Sequence, residues 1–370
     1  MDSIPRNGAW LAAVFCLWWG TMATTSADAL SDWQARRVPR LRIAASPYPN
    51  WLLHILPTDV DLGKHRYRVW IPTLGVLPSS ETSRGHLYTR HAGFVDLAHI
   101  RRSIDFTAYL HHEIRDGLTR RASHFSFESI DRTTYHCQLS YPDFWDDLEA
   151  DQRARLIEEI AIEAADHASF DFSNWREIIT WYGFHNVPGF PEKGSAFSYE
   201  DVTSHCIGAL VAERALRTPG VPFDQAAAIE LDREMTALHI VSKEDYLRAM
   251  ALVKDKWWGE KTCLKRNIDV GCDDGQIETW LVRGLEPGIE PRPKIYPVPG
   301  RDFTDIEGYD CTGMVVFECE PRMRERKEVM KLLGPEVTRI RPDRDYPVII
   351  ARIEEEIKEE FGPHATVPYP

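Results

Sequence analysis

Between Asp96 and Leu118 the apolar residues Leu97, Ile100, Ile104, Ala108, Ile114 and Leu118 keep helical spacing, with Gly93 and Asp96 supplying the start. Leu148, Leu156, Ile157, Ile160 and Ala164 mark a second helix within 144–168. A third begins after Ser173 and carries Trp175, Ile178, Ile179 and Tyr182 on one face. Ser198 with Asp201 three residues on reads as a capping box opening a fourth helix, from Tyr199 to about Arg217, and Ser242 with Asp245 opens another in the same way. Residues 223–238 are helical by composition. These helices form the body of the chain, 91–262.

On either side the pattern changes. Residues 30–90 mix Arg, Pro and short apolar runs such as Arg68–Ile71, so they read as an irregular lead-in with brief strands. Residues 263–312 hold two cysteines of a close pair and a proline-rich piece from Pro287 to Pro299, which predicts an ordered, disulfide-held connection. The segment 313–370 reads strand at Met314–Cys319, helix at Arg324–Leu333, a short strand at Val337–Ile340 and a helix toward Phe361. The predicted fold class is therefore α+β: a predominantly helical body with a small strand-containing C-terminal segment.

The chain opens with Arg6, an apolar run from Ala9 to Ala23 and then Ala27-Asp28-Ala29, the layout of an export signal cleaved after Ala29. An uncleaved anchor is the alternative. Cys16 follows bulky Phe15, which argues against a lipoprotein. No later apolar stretch is long enough to span a bilayer, so no transmembrane segment is expected after cleavage, and the mature protein is expected to be periplasmic or secreted. Cleavage takes one basic and two acidic residues from the 44 and 57 of the full chain, leaving a net charge of −12. A surface this acidic speaks against nucleic acid and anionic membrane as partners. The expected partner is an envelope ligand or substrate of unstated identity.

Six cysteines remain: Cys137, Cys206, Cys263, Cys272, Cys311 and Cys319. An even number in an exported chain suggests disulfides, with Cys263–Cys272 and Cys311–Cys319 closing short loops worth about 2 to 3 kcal/mol each and Cys137–Cys206 left by elimination. No Cys-x-x-Cys occurs, so a zinc finger is not indicated.

Candidate chemistry is confined to three short segments. In Gly93–Arg101, Asp96 and His99 stand three apart on one helix face, where they could share a divalent metal or act as a base and its orienting partner. Asp96 could equally be the N-cap alone. Arg101 is a candidate for binding a substrate carboxylate. In 175–183, Glu177, Thr180 and Trp181 lie opposite the apolar stripe, a helix with contacts on both sides; Trp181 is a candidate substrate contact or a packing residue. In 195–201, Asp201 stands four residues before His205, a spacing used for metal ligands, although Asp201 also has its capping task. His111-His112-Glu113 lacks the second His of a zinc-protease motif and reads as a solvated face. Nucleophile elbows, phosphate loops and dinucleotide fingerprints are absent.

These three segments together resemble a bacterial family known as domain of unknown function 4056, over roughly residues 85–215. The resemblance implies envelope export and no established activity. It also implies a His before the Glu of the second segment, where this chain has Arg176.

Two functions follow as expectations. The first is an exported, metal-assisted hydrolase, with Asp96, His99 and Glu177 catalytic and Asp96, His99 and Asp201 holding a divalent metal such as zinc. The second is a non-catalytic envelope binding or structural protein using tryptophans. A metal-free Asp96–His99 pair is a weaker third, because no Ser or Cys nucleophile accompanies it.

Overall fold

The computed structural model describes residues 86–369 except 130, 186–190, 260–261, 286–287, 289–291, 301–304 and 322–324. The expected signal peptide, and the expected lead-in up to residue 85, lie outside the described residues.

The chain is α+β with a helical body. A hairpin of β1 (His86–Thr89) and β2 (Gly93–Asp96) runs directly into α1 (Leu97–Thr119). Then come β3 (His124–Glu128), β4 (Thr133–Leu139), the long α2 (Ala150–Trp181), α3 (Asp201–Leu216), α4 (Phe223–Ala237) and α5 (Lys243–Val253). Short strands β5 (Gln276–Glu278), β6 (Ile295–Pro297), β7 (Asp305–Ile306) and β8 (Tyr309–Asp310) lead to β9 (Val315–Pro321), α6 (Glu325–Leu333) and α7 (Pro342–Phe361).

Asp96 caps α1 as expected, its Oδ1 accepting the Ala98 N–H at 2.7 Å. The two helices expected over 144–168 and after Ser173 are instead the single helix α2. No Gly or Pro separates them, and the serines that could have capped a new start face α1: Ser173 Oγ lies 3.3 Å from Ser103 Oγ, and Ser169 Oγ 2.6 Å from Thr107 Oγ1. Those two contacts set α1 and α2 antiparallel, with partners exchanging every four residues. One turn further along the same seam the facing pair is His99 and Glu177.

Helix α3 closes onto α1 at Gly208. A Cβ there would lie 2.4 Å from the Ile100 carbonyl oxygen and 2.6 Å from Ser103 Cβ, so only glycine permits this approach. The hairpin is fixed similarly. Gly93 has φ +68°, and a Cβ on it would meet the Trp280 carbonyl oxygen at 1.9 Å. Around the hairpin an aromatic cluster of Tyr88, Phe94, Tyr199, Trp257 and Trp280 buries both the strand that delivers Asp96 and the turn that delivers Asp201.

Segment 263–312 packs on that hairpin rather than simply linking its neighbours: Lys294 N–H donates to His91 O, and Val282 N–H to the Tyr88 hydroxyl. Strand β9 completes an antiparallel sheet of order β3-β4-β9, with Tyr135 opposite Cys319 and Cys137 opposite Phe317. That sheet packs on α2 through Tyr135 and Phe317, whose rings lie 4.1 and 5.6 Å from that of Phe172. The strand expected at Val337–Ile340 reduces to a single bridge from Ile340 to Cys319.

The expected disulfides do not form; no disulfide joins the described cysteines. Strand geometry gives one reason. From Val315 to Cys319 the backbone is extended, at about 3.3 Å per residue, which carries Cys319 beyond the roughly 7 Å reach of a disulfide to Cys311. Cys263 Sγ is turned toward the Trp257 and Lys265 carbonyls, and Cys206 Sγ toward that of Pro297. Burial raises the pKa of the Cys137, Cys206 and Cys319 thiols well above the ordinary range, keeping them neutral. Among the described residues no helix is long and apolar enough to cross a membrane.

Candidate metal centre

Three helices meet where α1 begins, α2 ends and α3 begins. His99, Glu177 and His205 each present one ligand atom there, all within 4.8 Å of one another. This is the one such group of three or more among the described residues. Donor atoms sharing a zinc ion at about 2.0–2.2 Å lie at most about 4.4 Å apart, so small side-chain rotations would close these three onto one cation. The rings of His99 and His205 meet edge to face at 5.1 Å.

Each donor is oriented from behind. His99 Nδ1 lies 2.9 Å from Asp201 Oδ1 and 3.6 Å from Asp96 Oδ2, which leaves Nε2 for a ligand. His205 Nδ1 lies 3.1 Å from Asn174 Oδ1, while its Nε2 is buried without a hydrogen-bond partner. Glu177 Oε2 accepts the Phe197 N–H at 3.2 Å. A histidine held through its far nitrogen by a carboxylate or amide oxygen has its tautomer and ring plane set, the usual support of a metal ligand.

The carboxylates behind His99 are themselves held. Asp201 Oδ2 accepts the Ser198 N–H at 2.7 Å and the Ser198 hydroxyl at 3.0 Å, but α3 begins at Asp201 with Glu200 as its N-cap and no side-chain cap, so the capping box expected to open the helix at Ser198 does not form: the Ser198 hydroxyl is spent on the Asp201 carboxylate. The Asp96 N–H donates to Ser204 Oγ at 2.8 Å, tying β2 to α3. His86, opposite Asp96 in the hairpin register, stands 3.6 Å from Asp96 and 3.8 Å from Glu200.

Four carboxylates, Asp96, Glu177, Glu200 and Asp201, are thus buried together, each 5 % exposed or less. Their mutual repulsion shapes the protonation of the cluster. Burial alone would lower the pKa of His99, yet the charges of Asp201 and Asp96 raise it to about 10. Burial and the Asp201 charge push Glu177 up to about 7, and burial with Asp201 also raises Glu200 well above its ordinary range. Burial, with the positive charge of His99, pushes His205 well down, so it is a neutral imidazole with a free lone pair. A site that collects negative charge around neutral and protonated imidazoles is one that a cation would relieve.

The remaining candidates fall elsewhere. Asp96 and Asp201 gather at the Nδ1 side of His99, apart from the three-donor cluster. Arg101 is wholly buried. Trp181 is 2 % exposed and packs toward the C-terminal helix, its indole N–H donating to Glu356 Oε2 at 2.7 Å under the Lys193 ammonium. His205 was visible in sequence as the fourth residue after Asp201. Asn174 and His86 carried no local signal, because their partners are distant in the chain.

Residues 39–269, more than half of the chain, match the family described as protein of unknown function, DUF4056. The chain belongs to this family. The DUF4056 match takes in β1, β2 and α1 to α5, and hence every residue of the cluster. No curated protein and no solved structure matches. The position where the DUF4056 resemblance implies a His is Arg176, whose Nη2 stands 3.5 Å from Glu192 and whose guanidinium lies over the Phe184 ring.

Proposed function

We propose that this protein is an exported metal-dependent hydrolase whose divalent cation is held by His99, Glu177 and His205. The observation that carries the reading is the convergence of two imidazoles and a carboxylate from three helices, each imidazole backed by an oxygen acceptor. Two histidines and a glutamate are a donor set of catalytic zinc, which leaves a position open for substrate. When bound, such a cation supplies Lewis-acid polarisation and an activated water at neutral pH. The protein's own part is to orient the donors: Asp201 and Asp96 hold His99, Asn174 holds His205 in its neutral tautomer, and the Phe197 amide holds Glu177. Of the three donors His99 has the most exposed side chain, 14 %, and marks the side from which substrate would approach.

The alternative of a non-catalytic binding protein loses its main support, because the indole of Trp181 is used inside the fold. The export part of the reading is supported by the apolar run and the Ala27-Asp28-Ala29 site.

The test is elemental analysis of the protein recovered from an export-competent host, with its mass measured in the same sample. The reading expects a chain starting at Leu30 with near-stoichiometric divalent metal, and only traces of metal in folded His205→Ala and Glu177→Gln. Metal-free wild type, or metal unchanged in both variants, would exclude this centre.

A further inference from the structure

Beside the three-donor cluster the α1–α2 seam holds a second unusual group, of the opposite charge. Arg102, 3 % exposed on α1, has Nε and Nη2 buried with no hydrogen-bond partner. Arg176 on α2 has a buried Nη1 in the same condition. Asn174, whose oxygen is turned to His205, has its amide nitrogen buried without an acceptor. Because Ser103 faces Ser173, Arg102 and Asn174 stand at the same level of the seam; burial, then the charge of Arg176, lowers the pKa of Arg102 to about 10, and both charges act on His205.

An arginine stays charged, and a buried donor without an acceptor costs about 1 to 3 kcal/mol, more when charged. The nearby carboxylates do not answer these donors. Asp131 accepts the Thr133 N–H at 3.0 Å and the Tyr135 hydroxyl at 2.7 Å, and Glu177 accepts the Phe197 N–H. Glu192 stands 3.5 Å from the other terminal nitrogen of Arg176, Nη2, so what is left without an acceptor is Arg102, Arg176 Nη1 and the Asn174 amide nitrogen. Planar guanidinium forks match the paired oxygens of a carboxylate or phosphate, the kind of group that the buried donors left over on Arg102 and Arg176 would take up.

We infer that Arg102, Arg176 and the Asn174 amide form a receptor for an oxyanion, a phosphate or carboxylate group, next to His99, Glu177 and His205. As an anchor for the substrate, this rests on the metal-centre reading and makes the hydrolase one acting on anionic compounds. As an anion site, it stands without that reading. Arg101 and Trp181, the contacts expected from sequence, are replaced in this role by residues one position along α1 and five positions earlier in α2.

The test is thermal unfolding and titration calorimetry of the full-length protein with inorganic phosphate and, separately, acetate. Wild type, Arg102→Gln, Arg176→Gln and His205→Ala are compared, with circular dichroism confirming each fold. The expected result is saturable stabilisation of wild type by one or both anions, and affinity weakened about tenfold or more in each arginine variant, as for loss of charge-assisted hydrogen bonds. His205→Ala keeps the response, so a missing metal and a missing anion site are told apart. The stronger of the two anions identifies the group. Should Arg102→Gln fail to fold, Arg176→Gln, at a partly exposed position, decides alone. The inference is overturned if neither anion binds wild type, as when water satisfies the donors. It is also overturned if binding survives Arg176→Gln, or is lost in His205→Ala but kept in the arginine variants.

Discussion

Helices α1 and α2 share one seam with two contrasting ends. At the sheet end the facing pairs are Thr107 with Ser169 and Ser103 with Ser173, small hydroxyls bonded to each other or to helix carbonyls, beside the aromatic stack of Phe106, Tyr135 and Phe172. At the hairpin end the same four-residue exchange sets His99 against Glu177, which is buried together with Asp96, Glu200 and Asp201, and the same two helices carry Arg102 and Arg176. The facing hydroxyls of the first end satisfy one another or helix carbonyls. The other end leaves His205 Nε2 and guanidinium N–H groups buried without hydrogen bonds. A fold retains such groups where a ligand completes them, because each is expensive when left alone. The contrast therefore separates what holds the seam together from what the seam is for.

Three substitutions sharpen that contrast. The largest stability effect belongs to the satisfied end. Phe172→Ala removes a fully buried ring packed on Tyr135 and Phe317 and is expected to cost about 3 to 5 kcal/mol in denaturant unfolding, while metal per folded molecule stays as in wild type. A metal content that fell with it would mean the two ends are not separable.

At the other end Asp201→Asn keeps the size of the side chain but weakens the acceptor behind His99. Metal affinity in competition with a chromophoric chelator is expected to fall about 10- to 100-fold with little change in the unfolding midpoint. Unchanged affinity would reduce Asp201 to its contacts with Ser198.

The smallest effect is expected from Thr107→Val, which loses the Thr107–Ser169 contact while Ser169 keeps its bond to the Asp166 carbonyl. About 1 kcal/mol is expected, with metal and anion binding untouched. A loss above about 3 kcal/mol would show that the hydroxyl pairs, rather than the aromatic stack, carry this end.

Much of the site was legible before any coordinates. Asp96 as the cap of α1, Ser242 as the cap of α5 and the α+β class follow from spacing alone, because capping and amphipathic periodicity are contacts within a few residues. Asp201 and His205 drew notice as neighbours on one helix turn, but they do not act as a pair: Asp201 backs His99, and His205 turns to Asn174. The merging of two expected helices into α2 was not legible. Ser173 resembles a cap, and only the facing hydroxyl of Ser103 shows that it bonds across the seam instead. Disulfides failed for the same kind of reason: six cysteines in a chain expected to be exported invite pairing, but β9 holds Cys319 away from Cys311 and the Cys263 sulfur is taken by local carbonyls.

By itself, then, the sequence determined the helical registers, the caps and the three segments where polar residues of catalytic type collect. Tertiary structure alone decided that His205 joins His99 and Glu177 while Asp96 and Asp201 stand behind His99, and that donors of Arg102 and Arg176 are buried without partners. The physical reason is that ligand sets are made across a seam, at a closeness set by Gly208 and by serines facing serines, and no local periodicity encodes which rungs of two distant helices meet.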